Sequence, residues 1–324
     1  MLSRNILILL SMGFILMASC SSTKKESSTD TDAVAENKIN FNEDSAYSYV
    51  SKQVEFGARV PNTEAHRRTG EYLEAELRNR GAWVSVQDTE LTAFDGTILH
   101  AKNIIGEFNP DSTKRILFIA HWDSRPWADN DPDVSKQSQP VMGANDGASG
   151  VGVLLELARI ISLNSPNVGI DIIFVDAEDW GNSSGGADSE SSWALGTQYW
   201  TKNMHRPDYA PQYGILLDMV GAKNARFSKE YLSMGYAPQV VNMIWNIAKD
   251  AGYSEYFVSE VGGAITDDHV FVNRAGIPCI DIIDQNGGTG FFPAWHTTYD
   301  TMVNISPATL KAVGQTLTNL IYKY

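Results

Sequence analysis

The sequence predicts an α/β fold of three layers, with a central, mostly parallel twisted sheet and helices on both faces. Two observations lead to this prediction. Short apolar, β-prone runs recur at residues 116–120, 172–175 and 215–217, and such runs are typical of buried parallel strands. Segments with helical periodicity follow these runs, and this alternation indicates helices packed on both faces of one sheet.

Capping and turn signals place the elements in chain order. Asn62 or Thr63 is the expected N-cap of the second helix, and Gly81 follows its end. Asp95-Gly96 is a hairpin signal between two alternating segments, and Ser306 is expected to cap the last helix. The predicted elements are helices at 43–55 and 63–80, strands at 83–92, 98–108 and 115–120, a helix at 149–163, a strand at 171–175, a short helix at 194–203, a strand at 214–219, a helix at 238–250, a strand at 277–283 and a helix from 306 toward 322.

The N-terminus has the pattern of a bacterial lipoprotein signal. Arg4 precedes an apolar stretch at 6–17, which is short for a transmembrane helix, and Ala18-Ser19-Cys20 resembles a lipobox. We therefore expect a signal peptide at 1–19, lipidation of Cys20, and a protein anchored by lipid in the bacterial cell envelope, facing the periplasm. A plain secretory signal with an incidental cysteine is the alternative.

The rest of the chain is expected to be a tether followed by one catalytic domain. Residues 20–40 are rich in Ser, Thr, Lys, Asp and Glu, a composition that cannot bury a core and predicts a flexible tether. Residues 41–324 suit a single α/β domain. Cys279 is the only cysteine beyond Cys20, so no intramolecular disulfide is available, and its apolar neighbours predict a buried, inert thiol.

The acidic composition limits the classes of partner. The formal net charge is -14 over 324 residues, which argues against nucleic acid or an anionic surface. The same charge permits substrates that carry a positive N-terminus.

Acid and imidazole groups follow several predicted strands. The carboxyl ends of the strands in an open α/β sheet line one crevice, so we expect these groups to converge there. Two imidazoles and several carboxylates in one pocket are the ingredients of a zinc site. The groups are His121, Asp123, Asp146, Glu178, Asp179, Asp218 and His296.

Each of these groups also has a structural interpretation. His121 could cap a loop, or it could bind metal with Asp123 as an orienting carboxylate behind it. Asp146 directly precedes a helix, where an N-cap would be unremarkable. Glu178 and Asp179 are adjacent carboxylates at a strand end. One of them can bind metal while the other acts as general acid or base, and a solvated acidic turn is the alternative.

Two further segments supply candidate pocket residues. Asp267 or Asp268 could cap a helix or hydrogen-bond a substrate amide, and His269 is expected to be structural. Aromatic side chains within 291–295 precede His296 in a Gly-rich loop, where they could form core or the wall of a pocket.

The chain from about residue 45 to its end resembles the zinc-dependent aminopeptidase fold. Within that clan it is most similar to glutaminyl cyclases of the animal-like type, especially secreted bacterial members. The order and spacing of several stretches carry this resemblance together. They are His121-Trp122-Asp123-Ser124, residues 143–150, 176–179 and 216–222, Asp267-Asp268-His269, and Trp295-His296-Thr297 with Asp300.

The resemblance implies one zinc ion per chain, held by Asp146, Asp179 and His296, with Glu178 as the acid/base catalyst. Two departures from the family pattern are visible. The metal-binding acid after Glu178 is often Glu in the clan, and here it is Asp179. Asp281 stands where animal cyclases carry a histidine.

The resemblance also implies the surroundings of the metal. Asp218 and Asp267 would form a hydrogen-bonded acidic network, and His121 would lie close without binding the ion. The substrate pocket would be shaped by Trp193, or alternatively Trp180, together with Trp295 and Phe291 or Phe292.

The implied reaction is cyclisation of the N-terminal Gln of peptides and proteins to pyroglutamate, with release of ammonia. A di-zinc aminopeptidase that hydrolyses N-terminal residues is the rival, and a catalytically silent binding lipoprotein is a third class. Residue types alone do not exclude hydrolysis, because all five side chains that a two-zinc aminopeptidase needs are present. They are His121, Asp146, Asp179, Asp218 and His296.

Overall fold

The structure, a computed structural model, describes residues 39–285 and 290–323 and is built on a central six-stranded sheet. The predicted signal peptide, Cys20 and the tether up to residue 38 lie outside the described residues and stay predictions. The strands are β1 (Trp83–Thr92), β2 (Ile98–Phe108), β3 (Arg115–His121), β4 (Gly169–Val175), β5 (Tyr213–Asp218), β6 (Phe227–Lys229), β7 (Phe257–Val261) and β8 (Cys279–Ile283).

The strand order in the large sheet is β1-β2-β4-β3-β5-β8. The apolar strands β4, β3, β5 and β8 pair in parallel, whereas β2 pairs antiparallel with both β1 and β4. The predicted central, mostly parallel sheet is therefore confirmed, with the hairpin added at one edge.

Helices cover both faces of this sheet. They are α1 (Glu43–Glu55), α2 (Glu64–Asn79), α3 (Ala148–Leu163), α4 (Leu195–Lys202), α5 (Tyr231–Tyr236), α6 (Pro238–Asp250), α7 (Asp268–Arg274) and α8 (Pro307–Lys323). Successive side chains of a strand point to opposite faces. Phe118 of β3 thus joins the larger core with α1, α3, α6 and α8, and Ile119 joins a second core with Trp200 of α4 and Val272 of α7.

The capping signals in the sequence place helix ends correctly. Thr63 caps α2 by accepting a hydrogen bond from the His66 amide, and the Ser306 hydroxyl accepts one from Thr309 at the start of α8. The sequence prediction missed α5 and the small parallel sheet of β6 and β7. These elements are too short to show a periodicity, and β6 pairs with a segment about thirty residues away in the chain.

Parallel pairing brings the carboxyl ends of β3, β4, β5 and β8 to one edge of the sheet. Because β2 runs antiparallel to β4, the turn between β1 and β2 lies at this same edge. Functional side chains that follow separate strands are therefore gathered at one place.

Two other findings concern the chain as a whole. Cys279 is fully buried, as the sequence predicts, and within the described ranges it is a free thiol. No helix in the described part of the chain has the length and apolar character needed to span a membrane.

Candidate metal centre

A cavity of about 260 Å³ opens at the carboxyl edge of the sheet and contains most of the predicted functional side chains. A larger cavity of about 660 Å³ lies on α2 and the hairpin, but it contains none of these groups. The smaller cavity is lined by Asp146, Glu178, Asp179, Trp193, Asp218, Met219, Ala264, Ile265, Thr266, Asp267, Ile283, Phe291, Trp295 and His296.

Asp146, Asp179 and His296 come together as the sequence predicts, with one donor atom of each within 4.8 Å of the others. All three side chains are buried. Among the residues that the structure describes, neither carboxylate oxygen of Asp179 has a hydrogen-bond partner, although His296 Nε2 lies 3.1 Å from Oδ1. Buried carboxylate oxygens without partners are costly unless a cation is present, and two carboxylates with one imidazole are a zinc-type donor set. These residues therefore fit a bound zinc ion.

Neighbouring carboxylates orient His296. Its Nδ1 lies 3.3 Å from Asp129 Oδ1, on the side of the ring opposite Asp179. Burial disfavours the charged imidazole, but the negative charge of Asp179 and the nearby carboxylate of Asp129 outweigh it and raise the pKa of His296 to about 9. A carboxylate on the far nitrogen is the usual way of fixing the tautomer of a metal-binding histidine.

A second group consists of His121, Asp146 and Asp218 and shares Asp146 with the first. His121 Nε2 lies 3.0 Å from Asp146 Oδ1 and 3.2 Å from Asp218 Oδ1, and its Nδ1 is 3.4 Å from Asp123. Burial opposes protonation of His121, but these three carboxylates raise its pKa well above the usual value. The imidazole itself thus occupies the space between Asp146 and Asp218.

Two buried carboxylates hold the backbone of this centre. The Asp123 carboxylate accepts hydrogen bonds from the amides of Glu178 and Asp179, each at 3.1 Å. The Asp300 carboxylate accepts from the amides of Asn145 and Asp146 at 2.8 and 3.0 Å. Asp123 therefore has two roles. It holds the backbone at the end of β4, and it lies beside His121, the orienting role that the sequence suggested.

Asp146 is not a helix cap, which removes its structural interpretation. Helix α3 begins at Ala148, and its N-cap is Gly147, which has no side chain to accept a capping hydrogen bond. Gly147 packs so tightly that a Cβ there would lie 2.4 Å from the carbonyl oxygen of His121. Asp146 lines the cavity instead.

Glu178 lines the same cavity and is buried. Burial raises its pKa well above the ordinary value. The positive charge of His121 opposes this shift, and the negative charges of Asp179 and Asp267 add to it. A buried carboxyl group of this kind is suited to accept and return a proton.

The acidic network has different contacts from those implied by the family resemblance. The hydrogen bond of Asp218 goes to His121, and the Asp267 carboxylate accepts from the Asp268 amide as N-cap of α7. Burial raises the pKa of Asp218 to about 6 and that of Asp267 to about 7, with the charge of Asp218 contributing to the latter. His269, expected to be structural, lies behind the cavity with its Nε2 3.2 Å from Glu230.

Aromatic rings form the walls of the cavity. Trp295 stacks on His296 at 3.9 Å between ring centroids, and Trp193 lies parallel to the same imidazole at 6.2 Å. Phe291 packs on Trp295 at 4.3 Å. Phe292 is instead 5% exposed and packs in the larger core. Of the alternatives, Trp193 and Phe291 line the pocket, whereas Trp180 and Phe292 do not.

The sequence interpretation missed several supporting residues. Arg125 donates to the carbonyl oxygens of Asp179 and Gly181, and Asp129 contacts both Arg125 and His296. The nearness of Arg125 to Asp123 in the chain was a possible signal. Arg59, buried and bonded to the carbonyl of Gly143, has no such signal because it comes from a distant loop.

Comparison with known proteins agrees with this geometry. A solved glutaminyl cyclase from Bacteroides thetaiotaomicron is 52% identical, with a TM-score of 0.87, and covers 89% of this chain and all of that one. A Zn-dependent exopeptidase from Parabacteroides distasonis is 54% identical, with a TM-score of 0.86 and the same coverage. A glutaminyl-peptide cyclotransferase-like protein from Bos taurus is 23% identical over 292 residues, covering 82% of this chain and 72% of the relative.

These relatives confirm the resemblance to glutaminyl cyclases of the zinc aminopeptidase-like fold, and the Zn-dependent exopeptidase supports zinc as the metal. The family model for peptidase family M28 matches residues 103–321, which include every cavity residue named above. The chain belongs to peptidase family M28.

Proposed function

We propose that this protein is a glutaminyl-peptide cyclotransferase, which converts the N-terminal Gln of peptides and proteins to pyroglutamate and releases ammonia. One observation carries the proposal: buried Glu178 shares a small, aromatic-walled cavity with the zinc-type donors Asp146, Asp179 and His296. The similarity to solved glutaminyl cyclases supports the same reaction.

The reaction closes a five-membered ring within one residue. When bound to Asp146, Asp179 and His296, zinc supplies a Lewis acid for the γ-carbonyl group of Gln. Glu178 accepts a proton from the α-amine as its nitrogen bonds to the side-chain carbonyl carbon. Glu178 then returns the proton to the departing nitrogen, the bond from that carbon to nitrogen breaks, and ammonia leaves.

The cavity walls assist this ring closure. Trp193, Trp295 and Phe291 can pack on the Gln side chain and exclude water, which the reaction does not consume. Holding the α-amine near the side-chain carbonyl makes the attack intramolecular, and such proximity is worth several kcal/mol of the barrier, about 7–11 kcal/mol in the best-oriented cases.

Hydrolysis by a two-metal aminopeptidase is the second candidate function. One observation favours it: the two donor groups share Asp146, as carboxylates that bridge two ions do. His121 Nε2 lies 3.0 Å from Asp146 Oδ1 and 3.2 Å from Asp218 Oδ1, so these three side chains are close enough to bond to one another or to hold a second ion, and the metal count separates the two functions.

Mass measurement and elemental analysis on the pure protein test the two functions together. We expect one zinc ion per chain and a loss of about 17 mass units from a Gln-peptide, the ammonia expelled when the polarised amide is attacked. A Leu-peptide of the same length is the control and should be unchanged. Two zinc ions with release of free Leu would instead establish the aminopeptidase.

We also propose that Cys20 is the lipidated N-terminus of the mature protein, anchoring it in the cell envelope toward the periplasm. The support is the apolar segment that ends in Ala18-Ser19-Cys20, with a polar tether after it. Each methylene of an acyl chain that is buried in the bilayer adds about 0.8 kcal/mol, so several chains anchor a protein firmly.

Cys20→Ala should abolish incorporation of labelled fatty acid and move the mature protein to the soluble fraction. Cys279→Ala removes the other cysteine, which is buried, and is the matched control that should keep both label and membrane association. Unchanged labelling of Cys20→Ala would contradict the anchor.

A further inference from the structure

Three aromatic side chains outside the cavity form a connected strip, which we call the aromatic strip: Phe94, Trp127 and Trp180. Trp127 lies at the centre, with its ring 6.3 Å from that of Phe94 and 5.6 Å from that of Trp180, both nearly perpendicular. Phe94 is 46% exposed, and the two tryptophans are half-buried. An exposed run of aromatic rings on an acidic chain is a typical recognition surface.

Arg125 connects this strip to the cavity. Its guanidinium lies 5.0 Å from the ring centroid of Trp127 and 4.9 Å from that of Trp193, so it is stacked between the strip and the cavity wall. Arg125 is fully buried and is held by the carbonyl oxygens of Asp179 and Gly181. Arg125 itself contributes no surface, but its single guanidinium separates Trp127 of the strip from Trp193 of the cavity wall.

The fold fixes the position of the strip. Phe94 lies in the turn between β1 and β2, which the antiparallel pairing of β2 with β4 brings to the carboxyl edge of the sheet. Trp180 directly follows Asp179, and its indole donates to Asp95 of the same turn at 3.3 Å. The strip therefore lies at the same edge of the sheet as the cavity, and Trp180 is the chain neighbour of the cavity residue Asp179.

We propose that the aromatic strip binds the apolar or aromatic side chains of the second and third residues of the peptide substrate. This inference rests on the proposed function. The cavity, at about 260 Å³, is below the size of most small-molecule sites, which are about 300–1,000 Å³, and so accommodates roughly the first residue alone. The following residues must lie outside it, and the strip is an apolar surface that one guanidinium, that of Arg125, separates from the cavity wall at Trp193.

Two tetrapeptides, Gln-Phe-Phe-Ala amide and Gln-Gly-Gly-Ala amide, test the strip on the full-length protein. We expect kcat/KM for the Phe peptide to exceed that for the Gly peptide by about tenfold, mainly through KM, because aromatic contacts of this type are worth about one factor of ten. Phe94→Ala should reduce this ratio to below about threefold, and Phe94→Trp should preserve it.

Trp83→Ala is the matched control, because Trp83 is an exposed aromatic residue at the other end of β1. Equal kcat/KM for the two peptides in the wild type, or an equal loss of the ratio in Trp83→Ala, would overturn the strip as a substrate site. So would a dimer in solution that Phe94→Ala dissociates, since the strip would then bind a second copy of the chain. Failure to cyclise either peptide would overturn the proposed function itself, and the strip proposal with it.

Discussion

Glu178→Gln is expected to lower turnover of an N-terminal Gln peptide by about 10²–10⁴-fold, the usual contribution of general acid–base catalysis. The amide has nearly the shape of the carboxyl group but cannot accept the proton of the α-amine. The backbone at this position is held by the Asp123 carboxylate, which the substitution does not alter. Fold and metal content should therefore stay as in the wild type.

The measurement is kcat by ammonia release, together with zinc content and the unfolding temperature of each variant. Glu90→Gln, in the exposed part of β1, is the matched control and should leave all three values unchanged. A Glu178→Gln protein that retains its zinc and near-normal turnover would show that another group moves the proton.

Asp179→Asn should lose zinc and, with it, activity. One anionic donor of the proposed ligand set becomes a neutral amide, and the loss of affinity should exceed the roughly 10–100-fold that removing an orienting partner costs. Asp218→Asn should keep its zinc, because Asp218 contacts His121 and is not a member of the Asp146, Asp179 and His296 group.

Metal content after dialysis, measured by elemental analysis, separates the two variants. The expected values are one zinc per chain in the wild type and in Asp218→Asn, and much less in Asp179→Asn. A fall from two ions to one in Asp218→Asn would establish a second metal at His121, Asp146 and Asp218 and would favour hydrolysis.

The fold was predictable because its signals are local and strong. Apolar runs gave β3, β4, β5 and β8, and the caps Thr63 and Ser306 gave helix ends to within a residue or two. The convergence of His121, Asp146, Asp179, Asp218 and His296 followed from the rule that parallel strands end at one edge.

Side-chain direction within loops was not predictable. Phe291 and Phe292 are neighbours with the same chemistry, yet one lines the cavity and the other packs in the core. Nothing in the local sequence decides between them, because the choice depends on packing against distant elements. The contacts of Arg59 and Arg125 could not be predicted either, because their partners are backbone carbonyl groups of loops that are distant in the chain.

The hydrogen bonds of the Asp300 carboxylate link the end of the chain to its middle, and this affects when the metal centre can form during synthesis. It bonds to backbone amides 155 and 154 residues earlier, at Asn145 and Asp146, and His296 comes from the same late segment. A chain is synthesised from its N-terminus, so a growing chain has strands β3 to β5 long before these partners exist. A product cut short before residue 296 lacks an imidazole of the centre and leaves two amide groups of the Asp146 loop without acceptors, which costs about 1–3 kcal/mol for each one buried. Catalytic ability is therefore acquired only when synthesis is nearly complete, and prematurely terminated chains should be both inactive and easily degraded.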